Sequence, residues 1–183
     1  MTVILLANGF EEIEALTPLD MLRRAEADVK TVSINEERTV TGAHGISVIA
    51  DMTKSELDLR KVDFVIFPGG MPGAKNLDES ELTDKIIEAV SKNGGRLAAI
   101  CAAPMILGKR GLLNGKTACC YPGFEKELIG AEISYESCVT DGNITTARGM
   151  GAALDFAEEI IALTAGKELS EKLSASIIRE VKK

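Results

Sequence analysis

Short apolar runs alternate along the chain with stretches in which apolar residues recur every three or four positions, as strands alternating with helices require. Thr2–Ala7 reads as a first strand, Glu11–Ala25 as a helix and Val29–Ile34 as a second strand. Thr39–Thr41 and Ile46–Ala50 read as a short hairpin that interrupts the alternation. Phe64–Phe67 is a continuous apolar strand running into Pro68-Gly69-Gly70. Glu81–Lys92 is an amphipathic helix closed by Asn93-Gly94-Gly95, a helix-stop signal. Leu97–Ile100 is another buried strand, followed at once by a predicted helix from Ala102 to Leu113. Ile133–Val139 and Ile144–Thr146 flank the turn signal Asp141-Gly142, and helices over Gly151–Ala165 and Leu169–Val181 finish the chain.

The uncharged strands at Val3–Ala7, Phe64–Phe67 and Leu97–Ile100 need cover on both faces. That predicts an α/β three-layer sandwich with a mostly parallel central sheet and a small β-hairpin insertion. A length of 183 residues predicts a single domain over residues 1–183, large enough to bury a core without disulfides or metal. In open sheets of this kind ligands sit outside the carboxyl ends of the strands. Asn8–Glu11, Pro68–Gly73 and Cys101–Pro104 all leave strands at that edge, so these three segments are predicted to converge.

Composition narrows the field. Apolar residues make up 45% of the chain, but no run approaches the roughly 20 residues that span a bilayer. Thr2–Ala7 is too short for a signal peptide and lacks its basic flank, so a cytoplasmic protein without a membrane partner is expected. Net charge is −7 with both signs interspersed, and Trp is absent; with no basic stripe, nucleic acid is not an expected partner. Cys101, Cys119, Cys120 and Cys138 are expected as free thiols, and without CxxC or zinc-ligand spacing no metal is expected.

Cys101 is the first chemical candidate, because it follows a buried strand and opens a helix with no loop between. A side chain there sits on a sharp turn above the sheet, and a helix N-terminus favours thiolate over thiol. Pro104 fits the first turn of that helix. The same position also suits an inert core thiol. Glu14 shares a helix line with Pro18, Met21 and Ala25, so a carboxylate begins an apolar stripe. Burial there would raise its pKa towards neutrality, although a solvated carboxylate fits the pattern equally. Pro68-Gly69-Gly70 offers backbone N–H groups of the kind an oxyanion site uses, but Gly-Gly is often only a turn. Arg148-Gly149-Met150-Gly151 suits a tight strand-to-helix junction and is read as packing. His44, the only histidine, lies in the hairpin segment Gly42–Gly45 and reads as a surface turn residue. Cys119 and Cys120 are adjacent in an expected strand, one facing in and one out, and Cys138 reads as strand filler.

Glu11-Glu12-Ile13-Glu14-Ala15, Phe67-Pro68-Gly69-Gly70-Met71-Pro72-Gly73-Ala74 and Ala98-Ala99-Ile100-Cys101-Ala102-Ala103-Pro104 resemble three signatures of the ThiJ/PfpI superfamily. The branch is the DJ family, which contains the Parkinson-associated protein deglycase and its bacterial relatives. Arg148-Gly149-Met150-Gly151 followed by Ala152–Ala157 is similar to that family's last strand-to-helix junction. The resemblance implies a flavodoxin-like sandwich, a homodimer, Cys101 as nucleophile and Glu14 as its hydrogen-bonding acid. Gly69, Gly70 and Ala102 would give backbone support. It also implies glyoxalase, deglycase, oxidative-stress or chaperone activity, with no cofactor. Tyr121 stands where many relatives carry His, which weakens a Cys–His mechanism because Tyr is a poor base at neutral pH. Met150 replaces a proline common in relatives. His44 and Arg24 fall at basic positions near the family's site, and the resemblance implies that they bind an anionic substrate group or an oxidised sulfur.

Two chemistries follow. In one, Cys101 adds to the aldehyde of methylglyoxal or a related 2-oxoaldehyde, and Glu14 moves a proton between carbons on the way to a 2-hydroxy acid. In the other, Cys101 is oxidised by peroxide and the protein acts as a redox sensor or chaperone.

Overall fold

The computed structural model describes residues 1–179. In chain order its strands are β1 (Thr2–Leu6), β2 (Val29–Ser33), β3 (Thr39–Thr41), β4 (Ser47–Ile49), β5 (Met52–Thr53), β6 (Phe64–Phe67), β7 (Arg96–Ile100), β8 (Thr117–Ala118), β9 (Glu132–Ile133), β10 (Cys138–Asp141) and β11 (Ile144–Ala147). The helices are α1 (Glu12–Arg24), α2 (Gly73–Asp78), α3 (Glu81–Lys92), α4 (Pro104–Lys109), α5 (Ala153–Ala165) and α6 (Lys167–Ser176). The central sheet runs β10-β11-β7-β6-β1-β2-β5, parallel throughout except for the hairpin between β10 and β11. β3 and β4 form a separate antiparallel hairpin, the insertion that the sequence pattern predicts.

Strand residues alternate between two cores, as a period of two demands. Val3, Leu5, Val65, Phe67, Leu97 and Ala99 pack with α2, α3 and α4 on one face. Ile4, Leu6, Phe64, Ile66, Ala98 and Ile100 pack with α1 and α5 on the other. A strand buried on both faces has no polar position to spare, which is why these runs carry no charge.

Four expectations need correction. The single strand expected over Ile133–Val139 is broken into β9, ending at Ile133, and β10, starting at Cys138, with no strand between them. The helix predicted over Ala102–Leu113 is only α4, Pro104–Lys109, with Cys101–Ala103 forming a turn before it. It stops because Arg110 leaves the helix and Gly111 takes φ +71°. The strand expected around Cys119 and Cys120 ends at Ala118, and both cysteines are buried rather than one facing outward. The Cys119 amide leaves the ladder to donate to the Thr146 hydroxyl at 3.0 Å, which turns the chain inward. The last helix ends at Ser176 rather than at Val181, which lies outside the described residues. Among the described residues no helix is long and apolar enough to cross a membrane.

Candidate active site

The segments after β1, β6 and β7 meet at the carboxyl edge of the sheet. Glu11 N–H donates to Gly69 O at 2.9 Å, Gly73 N–H to Gly9 O at 3.0 Å, and Cys101 N–H to Ala147 O at 2.9 Å. The Glu11 carboxylate caps α1 by accepting from Glu14 N–H at 2.7 Å, which fixes the first helical turn and with it the direction of the Glu14 side chain.

Cys101 adopts φ +66°, a left-handed conformation that is costly for any residue but glycine. It follows Ile100, the last residue of β7, so the strand is sharply reversed and the thiol projects above the sheet. The thiol is partly exposed, whereas Glu14 beneath it is almost fully buried. Carboxyl and thiol lie within hydrogen-bonding reach of one another.

Backbone donors complete the pair. Gly69 N–H donates to Glu14 Oε2 at 3.1 Å, and the nearby Met150 amide also favours the charged carboxyl. The amides of Gly70 and Ala102 lie near the Cys101 sulfur and favour its charged form. The glycine at 69 is obligatory. A Cβ there would stand 2.5 Å from Glu14 Oε2 and 2.6 Å from Cys101 Cβ.

Burial raises the Glu14 pKa from 4.5 to about 7, working against the hydrogen bonds that favour its charged form. Burial and the neighbouring Glu14 carboxylate push the Cys101 thiol up to about 12. The lowered thiol pKa expected from a helix N-terminus is therefore not what the site shows. α4 begins three residues later, and its amides are outweighed by desolvation and by a second acid. Glu14 and Cys101 titrate as one unit, and the first proton leaves the pair near neutrality. In the resulting monoanion the remaining proton is held mainly by sulfur, the weaker acid of the two, and thiolate forms only when Glu14 takes that proton up.

Not every predicted site residue is brought here. His44 Nδ1 pairs with buried Glu12 at 2.8 Å, and the His44 amide donates to the same carboxylate at 2.8 Å. Arg24 pairs with Asp20 at 2.6 Å on the exposed side of α1 and is ten residues from Glu14, or about 15 Å along the helix axis. Glu11, Glu12 and His44 hold their ligand atoms within 4.8 Å of one another, the one such group among the described residues. Its polar atoms already bond within the chain: Glu12 to His44, and Glu11 to the Glu14 amide.

Two participants were missed by sequence reasoning. Met150 belongs to the junction read as packing, yet its amide serves Glu14. Tyr121, a departure from the family's histidine in sequence, donates its N–H to Cys101 O at 2.8 Å, and its exposed ring flanks Gly149. A groove of about 470 Å³ opens there, lined by Tyr121, Tyr135, Arg148 and Met150 among others.

The model of the DJ-1/PfpI family matches residues 2–163. Drosophila melanogaster protein dj-1beta is 33% identical over 178 residues, covering 96% of this chain and 95% of its own. Arabidopsis thaliana DJ-1 homolog B is 35% identical over 178 residues, but this chain spans only 41% of that longer protein. A Pyrococcus horikoshii protein named a deglycase is 32% identical over 149 residues, covering 80% of this chain and 88% of its own. Among solved structures, oxidised Toxoplasma gondii DJ-1 superposes with a TM-score of 0.94 at 31% identity, covering 98% of both chains.

Proposed function

The chain belongs to the DJ-1/PfpI family and shares its flavodoxin-like fold, and on that basis we propose that it is a cofactor-independent, cysteine-dependent enzyme acting on 2-oxoaldehydes or their adducts. The observation that carries this reading is the Cys101–Glu14 pair, a nucleophile and a carboxyl of pKa about 7 within hydrogen-bonding reach. The relative named a deglycase supports the same class of substrate.

Cys101 sulfur adds to the aldehyde carbon, and the former carbonyl oxygen takes up a proton, giving a hemithioacetal. The Glu14 carboxylate removes the hydrogen on that carbon as a proton and returns it to the neighbouring carbon. The first carbon is thereby oxidised to a thioester and the second reduced to an alcohol. Water then cleaves the thioester, releasing a 2-hydroxy acid and the thiol. No external oxidant is required. The Gly70 and Ala102 amides are placed to stabilise charge at the reacting centre. A positioned acid–base group contributes about 10²–10⁴-fold, so Glu14→Gln should lower lactate formation from methylglyoxal by that factor and Cys101→Ser should abolish it. Unchanged turnover in either variant would sink the mechanism.

A homodimer fits the exposed Ile13 on α1 and Ile46 and Ile49 on the β3–β4 hairpin, a set of apolar side chains that a second copy would cover. His44 and Arg24 would then contribute to substrate binding from the partner copy. Sedimentation of the full chain tests the oligomeric state directly.

Sulfur oxidation is the second reading. Cys101 is partly exposed while Cys119 and Cys120 are buried, so peroxide reaches Cys101 more readily than either. Site-resolved mass spectrometry after mild peroxide should find Cys101 oxidised first. Earlier oxidation of Cys119 or Cys138 would exclude a sensor role.

A further inference from the structure

The groove beside the Cys101–Glu14 pair holds about 470 Å³, far more than a three-carbon oxoaldehyde fills. Gly149 lines the groove and is the wall residue that stands next to the pair. A Cβ at that position would lie 3.2 Å from the Tyr121 ring and 3.8 Å from Glu14 Oε1, so ring and acid flank the same point. Tyr121 is held there by its own amide, which donates to Cys101 O.

The walls are unusual for an exposed surface. Tyr121, Tyr135 and Met150 all expose more than 50% of their area. Together they make an apolar lining, and large apolar residues grouped in this way mark binding sites more often than inert surface. Arg148 closes the far side, its guanidinium carbon 5.8 Å from the centre of the Tyr135 ring and its NH1 donating to Tyr135 O at 3.3 Å.

We propose that this groove receives the side group of the substrate and that the preferred substrates are aryl 2-oxoaldehydes, in which an aromatic ring is attached to the ketone carbon. The inference rests on the 2-oxoaldehyde reading of the Cys101–Glu14 pair. With the aldehyde carbon at Cys101 sulfur and the ketone carbon next to Glu14, the ring extends past Gly149 onto Tyr121. Tyrosine rings offer offset or edge-on stacking, Met150 a thioether for the ring edge, and Arg148 a cation for its face. A flexible alkyl chain could not use these contacts and would lose more rotational freedom on binding. The chemistry is unchanged: one hydrogen moves between adjacent carbons, water is consumed, and the product is an aryl 2-hydroxy acid.

Two measurements on the full chain test this. Calorimetry compares wild-type binding of mandelate and lactate, the aryl and methyl products, and initial rates compare phenylglyoxal with methylglyoxal. Mandelate should bind at least about tenfold more tightly, as expected for burying a phenyl ring. The kcat/KM ratio of phenylglyoxal to methylglyoxal should exceed about ten in the wild type and fall about tenfold in Tyr121→Ala and in Met150→Ala. Equal affinity for the two products, or a ratio that neither substitution moves, overturns the proposal. If neither aldehyde is turned over, the enzymatic reading fails, and the product-binding comparison alone decides the groove.

Discussion

The Glu14 carboxyl accepts the Gly69 amide at 3.1 Å across 55 positions of sequence, and from that anchor it faces the Cys101 thiol. One oxygen is thus fixed by a strand-end loop while the group as a whole is shut away from water. The result is a carboxyl that is oriented as a base but reluctant to ionise.

That reluctance has a consequence for stability. Burial raises the Glu14 pKa from 4.5 to about 7, so between these values the folded protein keeps a proton that the unfolded chain has released. Stability contributed by this site is therefore full below pH 4.5 and declines as pH rises to about 7. The loss is on the order of 3 kcal/mol for a shift of this size. Glu14→Gln does not titrate, so urea unfolding should show its stability relative to wild type rising by that order from about pH 4 to about pH 8. A difference that stays flat with pH would refute the buried, proton-retaining carboxyl.

Gly69→Ala places a methyl group 2.5 Å from Glu14 Oε2, 2.6 Å from Cys101 Cβ and 2.9 Å from Ile100 O. Backbone cannot yield there without moving β6 against β7, so the side chains separate instead. Overpacking of this kind costs about 1–3 kcal/mol. The larger effect is on turnover, which should drop by about 10²-fold or more as acid and nucleophile lose register. A variant that folds and turns over substrate at the wild-type rate would show that the close approach is not needed.

The inner strands β1, β6 and β7 were legible in the sequence because they are short, apolar and followed by Asn, Pro-Gly or a helix start, whereas the edge strands β5 and β10 were not. Phe64–Phe67 and α3 fall where the pattern puts them. The pieces that were not legible depend on distant partners. α4 stops where Arg110 turns to Asp78 and Asp84, and β8 and β9 are two-residue strands that pair only with each other. At the site, Cys101, Glu14 and the two glycines stood out by residue type and position. Met150 did not, because a backbone amide serves whatever side chain follows it. The raised thiol pKa was missed for a related reason: a helix start is visible in sequence, but the burial that opposes it is not.

Cys101 holds a left-handed backbone at φ +66°, which penalises any side chain by about 1–2 kcal/mol. Cys101→Ala and Cys101→Gly both remove the sulfur, but only glycine removes the penalty. The alanine methyl recovers at most about 0.8 kcal/mol by burial, less than the strain it keeps. Chemical denaturation should therefore find Cys101→Gly more stable than Cys101→Ala by up to about 1 kcal/mol. The reverse order would mean that the turn at Cys101 is unstrained.

His44 and Glu12 give the hairpin its own pH dependence. The hydrogen bond and charge of Glu12 raise the His44 pKa above 6.5, and the His44 ring and amide help to hold Glu12 below 4.5. For a cation whose folded pKa is raised, the stabilisation is fully present below 6.5 and is lost as pH rises through the folded value. His44→Ala also removes the ring from a carboxylate that is only 3% exposed, which leaves part of that buried charge unpaired. The variant should be less stable than wild type at pH 6, with the gap narrowing as pH climbs to 9, while His44→Lys, which stays charged, should differ from His44→Ala by an amount that does not change over that range. Urea midpoints of the three proteins across this range check the pairing, and a His44→Ala deficit that grows with pH would contradict it.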